Sequence, residues 1–207
     1  MSNLYLVGIG PGSGKYLTFE AINIAGSADI LIGSKRALKL FPEVTAKKLE
    51  LNAQNMHETF KLAVYKAFRG HTVVLLSTGD PGFSGILKPI QKLAGKLEFK
   101  VIPGISSIQI CAAKLQISWD DINIITMHGK GIPDELIPLI LNGKTTIILP
   151  NTTIEETVKY LLEHGIDPKR RAVVCENLSY KNEKIVKASL KEILNEKFGY
   201  MCVLVIY

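Results

Sequence analysis

The chain has 207 residues, 47% of them hydrophobic and 21% charged, a balance that suits one large globular domain or two small ones. No apolar run approaches the ~20 residues needed to cross a bilayer, and the first residues lack a basic region followed by an apolar stretch, so neither a membrane span nor a secretory signal is expected and the expected location is the cytoplasm. The formal charge of +6 suits an acidic partner, but the lysines are dispersed, the longest basic run is Lys169-Arg170-Arg171, and no basic block interleaves with aromatics, which argues against nucleic-acid binding.

The elements alternate between strand and helix from the start. Residues 4–9 read as a buried strand ending in a glycine-rich turn, after which Thr18 caps a helix running to Ala25 with Glu20 in its first turn. Residues 29–32 form a second strand and 47–51 a weak third. Residues 54–68 are the clearest amphipathic helix, with Met56, Phe60, Ala63, Val64 and Ala67 at helical spacing and Gly70 as its stop. Strands at 72–76 and 99–102 follow. Near-continuous apolar strands separated by helices predict a parallel sheet covered on both faces.

After a helix at 107–115 the pattern changes. Ser118-Trp119-Asp120-Asp121 reads as a hinge, so the chain divides into lobes at 1–117 and 118–207. The second lobe takes a strand at 122–126, a helix near 134–141, a strand at 145–149 and a helix at 154–164 closed by Gly165. Strands at 172–175 and 184–186 are joined by a loop, and 201–207 is a last strand, so this sheet is mixed. The expected fold class is α/β with two lobes of similar size. Cys111, Cys175 and Cys202 lie far apart in apolar segments, which suits buried thiols and neither a disulfide framework nor a metal site.

In a parallel sheet, ligands bind outside the carboxyl ends of the strands, and three loops of the first lobe lie there. Gly8-Ile9-Gly10-Pro11-Gly12-Ser13-Gly14 fails the dinucleotide fingerprint because Ser13 stands at the third glycine. Pro11 also lacks the N–H that a pyrophosphate cradle would use. A phosphate-binding P-loop fits no better, since Ile9 falls on its first glycine and Tyr16 on its magnesium-binding hydroxyl. Thr78-Gly79-Asp80-Pro81-Gly82-Phe83 presents a stiff, exposed carboxylate suited to a ribose or an amino group, or alternatively an ordinary Asp-Pro turn. Pro103-Gly104-Ile105-Ser106-Ser107 places hydroxyls where a helix begins, as caps or as ligand contacts.

In order along the chain, Val7-Gly8-Ile9-Gly10-Pro11-Gly12, Gly79-Asp80-Pro81, Pro103-Gly104-Ile105-Ser106-Ser107 and His128-Gly129 resemble the tetrapyrrole (corrin/porphyrin) methylase family over essentially the whole length. Within it, Ser106-Ser107-Ile108-Gln109, Trp119-Asp120-Asp121, Met127-His128-Gly129, Leu149-Pro150-Asn151 and Glu176-Asn177-Leu178-Ser179-Tyr180, with Glu183 just after, are most similar to the branch that methylates carbon 5 of a cobalt-precorrin. The resemblance implies S-adenosylmethionine as methyl donor, with S-adenosylhomocysteine as product, held between two α/β lobes. Pro11, Gly79, Asp80, Phe83, Ser107 and Ile108 would line the cofactor site from the first lobe, and Leu149, Leu178 and Met201 from the second.

The same resemblance implies a polycarboxylate tetrapyrrole substrate, a homodimer, and a separate protein for carbon-15 methylation and decarboxylation, because some relatives carry that activity in a second domain. Lys15, Lys35, Arg36, Lys130 and Lys181 are candidate partners for substrate carboxylates, and Arg36 is the best suited to bidentate pairing. Each is alternatively a solvated surface charge. His128 and Glu176 are candidates for proton movement, with a structural role as the favoured alternative for each. A methylase acting on uroporphyrinogen or a protein side chain, and a non-catalytic nucleic-acid-binding module, stand as alternatives.

Overall fold

The computed structural model describes residues 3–207, and the chain divides into two compact units, Met1–Ser106 and Ser107–Tyr207. In the first, β1 (Leu4–Gly8), β2 (Ile30–Gly33), β3 (Lys47–Glu50), β4 (Val73–Ser77) and β5 (Phe99–Ile102) form a sheet in the order β3-β2-β4-β1-β5. Every pairing is parallel. The helices are α1 (Phe19–Gly26), α2 (Lys35–Leu38), α3 (Met56–Phe68) and α4 (Leu87–Ala94).

Strand periodicity decides which helix covers which face. Leu4 and Leu6 of β1 point the same way as Ile30, Ile32, Val73 and Leu75, and pack with Phe60, Ala63 and Ala67 of α3 and Ile90 and Ala94 of α4. Val7, Leu31, Val74 and Leu76 point the other way, onto Ala21 and Ala25 of α1 and Ala37 of α2. Alternation of side chains along a strand supplies both layers, and each fully buried Leu or Ile contributes about 1.5–3 kcal/mol. The side-chain oxygens of Thr18 and Ser34 accept the Ala21 and Ala37 N–H groups and so cap α1 and α2.

The second unit opens with α5 (Ser107–Leu115) and continues with β6 (Asn123–Thr126), α6 (Leu136–Leu141), β7 (Thr146–Leu149), α7 (Ile154–Glu163), β8 (Arg171–Glu176), β9 (Lys184–Ser189), α8 (Leu190–Ile193) and β10 (Cys202–Ile206). Its sheet runs β6-β7-β10-β8-β9. Only β6 and β7 are parallel; the other neighbours are antiparallel, so the sheet is mixed. One core of Met127, Leu136, Ile140, Ile148, Ile154, Val158, Leu161, Val174, Leu190 and Leu204 fills it.

The sequence reading places the boundary after residue 117, whereas the compact units part after Ser106. The reason lies in α5. It packs on β10, its Cys111 Sγ donates to Cys175 Sγ of β8 at 3.7 Å, and its Lys114 pairs with Glu183. All three cysteines are free and buried. Hydrogen bonding to Cys175 and burial push the Cys111 thiol far up, and burial pushes Cys202 up to about 12.

Candidate functional site

The strand order creates a crevice at a defined place. β1 and β4 are neighbours, yet β1 leads into α1 on one face and β4 into α4 on the other. Adjacent strands whose connections leave on opposite faces mark the topological switch point, where α/β sheets bind ligands beyond the carboxyl ends of the strands. The loops that emerge there are 9–13 after β1 and 78–86 after β4, with 103–106 after β5 on the far side of β1. These are the three loops that the sequence singles out.

Their packing explains their composition. Gly10 and Gly79 form a bridge, the Gly79 N–H donating to Gly10 O at 2.8 Å and the Gly10 N–H to Gly79 O at 3.3 Å. Both have left-handed φ, +75° and +68°, which glycine adopts without steric cost. A Cβ on Gly8 would overlap the Gly104 backbone, and one on Gly104 would overlap Gly79 O and the Gly8 backbone. Gly8 and Gly104 therefore exist to let the loops touch each other.

Asp80 ties the same loops together. Its Oδ1 accepts the Gly82 N–H at 2.7 Å and its Oδ2 the Gly104 N–H at 3.0 Å. Each carboxylate oxygen retains acceptor capacity beyond one bond. Gly79, by contrast, has open space around its Cβ direction, with only Ser106 Cα at 3.8 Å, and Gly14 has nothing within 4 Å. The crevice thus offers a bridged backbone rim and a fixed carboxylate with unused lone pairs, a donor set that fits the hydroxyl and amino groups of a nucleoside better than a phosphate.

The remaining candidates of this part of the chain distribute by burial. Pro11 and Ile108 are buried, Phe83 and Ser107 half-buried. Lys15, in the 3₁₀ turn Gly14–Tyr16, and Lys35 and Arg36, at the start of α2, are exposed. All three follow the carboxyl ends of β1 or β2. A groove of about 510 Å³ lined by Asn3, Tyr65, Phe68, Leu93 and Leu97 adjoins the amino end of β1 instead, remote from these loops.

In the second unit β6, β7 and β8 run in one direction and β10 against them, so one edge collects the segments after β6, β7 and β8 and before β10. His128, Lys130, Leu149, Glu176, Leu178, Lys181 and Met201 all fall on that edge. His128 Nδ1 lies 3.3 Å from the Tyr200 hydroxyl. The Asn151 side chain accepts the Gly129 N–H at 2.9 Å. Glu176 Oε1 accepts the Gly199 N–H at 2.6 Å, and Met201 O accepts the Asn177 N–H at 2.9 Å. Leu178 is buried, while Lys130 and Lys181 are exposed.

Sequence reasoning missed Tyr200 and Lys114 here, and the left-handed backbone of Asn177 (φ 51°) and Ser179 (φ 74°). Asn tolerates that region and gives a weak hint; Ser179 gives none. Burial pushes the Glu183 carboxyl up, but the Lys114 ammonium and the Ser179 N–H outweigh it and hold the carboxyl below its ordinary value. Among the described residues no cluster of His, Cys, Asp or Glu is placed to hold a metal ion, and no helix is long and apolar enough to cross a membrane.

A parallel α/β unit with a glycine-rich, non-phosphate switch point, followed by a mixed α/β unit, defines a class, and residues 3–194 match the family model of the tetrapyrrole (corrin/porphyrin) methylases; the chain belongs to that family. It is 48% identical, over 98% of its length and 96% of the other's, to a protein of Methanocaldococcus jannaschii named a probable cobalt-precorrin-7 C(5)-methyltransferase. It is 29% identical, over 88% of each chain, to the cobalt-precorrin-7 C(5)-methyltransferase of Salmonella typhimurium. Among solved structures, the cobalamin-biosynthesis precorrin-6Y methylase of Archaeoglobus fulgidus superposes with a TM-score of 0.80 at 25% identity, covering 100% of this chain and 98% of that one.

Proposed function

We propose that the chain is an S-adenosylmethionine-dependent C-methyltransferase that methylates carbon 5 of cobalt-precorrin-7 in cobalamin biosynthesis. The observation that carries this reading is the 48% identity to the relative of that name across nearly the whole of both chains. The reading extends to a cytoplasmic homodimer, with carbon-15 methylation and decarboxylation left to a separate protein.

When bound, S-adenosylmethionine supplies an electrophilic methyl on a sulfonium, and transfer to a ring carbon is an in-line displacement. The protein's main task is therefore alignment. A carboxylate against the sulfonium would stabilise a charge that vanishes in the transition state, and only differential stabilisation accelerates the step. Asp80, already fixed by the Gly82 and Gly104 N–H groups, instead accepts from hydroxyl or amino groups of the cofactor. Pro11, Gly79 and Phe83 complete its contacts from the neighbouring loops, and Ser107 and Ile108 at the start of α5, with Leu149, Leu178 and Met201, add contacts from the second unit. Because Pro11, Ile108 and Leu178 are buried, their share falls largely to backbone groups. Lys15, Lys35, Arg36, Lys130 and Lys181 receive substrate carboxylates, and His128 and Glu176 are the side chains available to move a proton.

Calorimetric titration with S-adenosylhomocysteine tests the first half of the reading: saturable binding near one equivalent per chain is expected, and substantially weaker binding by Asp80→Ala. Mass spectrometry then tests the acceptor. Cobalt-precorrin-7 gaining about 14 Da, the mass of one CH₂ added by methyl transfer, supports the assignment. Gain of that mass by uroporphyrinogen or a protein side chain instead would reassign the substrate, and absence of cofactor binding would overturn the activity.

A further inference from the structure

The segment between β8 and β9 has an unusual backbone form. Asn177 and Ser179 both take left-handed φ, a conformation that Asn tolerates but that Ser keeps only where its surroundings over-determine it, as at ligand clamps. Glu176 is fixed by the Gly199 N–H, Asn177 by Met201 O, and Tyr180 by Asn177 O at 3.0 Å. Leu178 is buried as a plug. Ser179 is held from outside the turn: its N–H donates to Glu183 Oε2 at 2.9 Å.

Glu183 in turn is anchored from another element. Its Oε1 receives the Lys114 ammonium of α5 at 2.6 Å, with the Lys114 side chain 35% and the Glu183 side chain 20% exposed. The two carboxylate oxygens thus have separate partners, one on the loop and one on a helix packed into the unit's core. A charge-assisted bond of this kind is shorter and stronger than a neutral one, and partial burial spares it from screening. The exposed ion pairs Lys61–Glu58 and Lys159–Glu155 each join residues of a single helix. Lys114–Glu183 differs from them in bracing a loop on the edge that carries His128, Leu178 and Met201.

We propose that Glu183, anchored by Lys114, is a positioning residue that fixes residues 177–181 in the form that receives the methyl donor. This rests on the reading of that edge as part of the cofactor site. Without Glu183 the Ser179 N–H loses its acceptor and the left-handed turn relaxes toward ordinary backbone, so the loop must be reordered each time the cofactor binds. Affinity then falls without a change in the bonding groups themselves, since an ordering cost reduces binding as surely as a lost contact.

The test is S-adenosylhomocysteine calorimetry on the full chain, paired with thermal melting. Glu183→Ala is expected to raise the dissociation constant about tenfold, a factor that corresponds to about 1.4 kcal/mol. Glu183→Gln, which keeps an acceptor for the Ser179 N–H, is expected to recover most of that loss, and Lys114→Arg to match the wild type. Leu190→Ala, a core truncation far from any assigned role, is expected to lower the melting temperature and leave affinity alone. Glu183→Ala that melts earlier yet binds as the wild type would reduce the clamp to a structural ion pair. Should Gln fail to recover what Ala loses, the positioning role is likewise overturned. Absence of binding by the wild type would remove the cofactor reading and this inference together.

Discussion

At the scale of single residues, the glycines of the three switch-point loops divide into those that serve each other and those that leave room. Nothing in the sequence separates the two kinds. Gly8, Gly79 and Gly104 come from different loops, and only the placement of β1 between β4 and β5 brings them into contact. The structure gives Gly8 and Gly104 to loop-on-loop packing. Asp80 shows the same limit: the sequence predicts an exposed carboxylate, whereas the side chain is half-buried and accepts the Gly104 N–H. Gly104→Ala must push a Cβ into the Gly79 carbonyl and the Gly8 backbone, and overpacking against backbone costs about 3 kcal/mol. Chemical denaturation is expected to show that loss, and calorimetry an S-adenosylhomocysteine affinity at least tenfold weaker by the same disruption. Gly131→Ala, with nothing within 4 Å, should change stability by no more than about 0.5 kcal/mol. Equal behaviour of the two variants would mean that the loops are not close-packed.

At the scale of elements, the strands were legible because each is an apolar run bounded by turn residues, and the longer helices because their periodicity spans several turns. Short helices escaped. α2 and α8 have four residues each, too few for a period to repeat. α4 has a strongly one-sided apolar face in Ile90 and Ala94, but Pro89 in its third position reads as a breaker; it is tolerated because the first turn of a helix has no intrahelical use for that N–H. What makes α8 form despite its length is a capping box, with Ser189 Oγ accepting the Glu192 N–H and Glu192 accepting the Ser189 N–H. The Ser189 N–H and hydroxyl hold the Glu192 carboxyl below its ordinary value. A carboxyl depressed in the folded state stabilises fully above its unfolded pKa, and that contribution disappears as pH falls through the lower folded value. Ser189→Ala should therefore lower the urea midpoint at neutral pH and by a smaller margin below the carboxylate range. A margin independent of pH would show that Glu192 contributes nothing through its charge.

At the scale of the molecule, each unit encloses its own core and gathers its basic candidates on one sheet edge, and that gathering gives the net charge of +6 a testable meaning. Dispersed along the sequence, the lysines are compatible both with a polycarboxylate partner and with a solvated surface. The fold sets Lys15, Lys35 and Arg36 after the carboxyl ends of β1 and β2, and Lys130 and Lys181 after β6 and β8, beside the loops that hold the candidate cofactor contacts. Exposed charges act on an anionic ligand through a field that salt screens over about 8 Å at physiological ionic strength. S-adenosylhomocysteine carries no net charge at neutral pH and is held by hydrogen bonds, so its affinity should barely respond to salt. A cobalt-corrin polycarboxylate should bind progressively more weakly as salt rises, and Arg36→Ala should flatten that dependence if Arg36 takes the proposed carboxylate-binding role, because a guanidinium can pair with a carboxylate bidentately and an ammonium cannot. Fluorescence or absorbance titrations of both ligands across a salt series measure the difference directly. Parallel salt curves for the two ligands would mean that the basic residues are ordinary solvated surface. Salt-dependent binding to generic nucleic acid of comparable strength would mean that the charge serves a different anion.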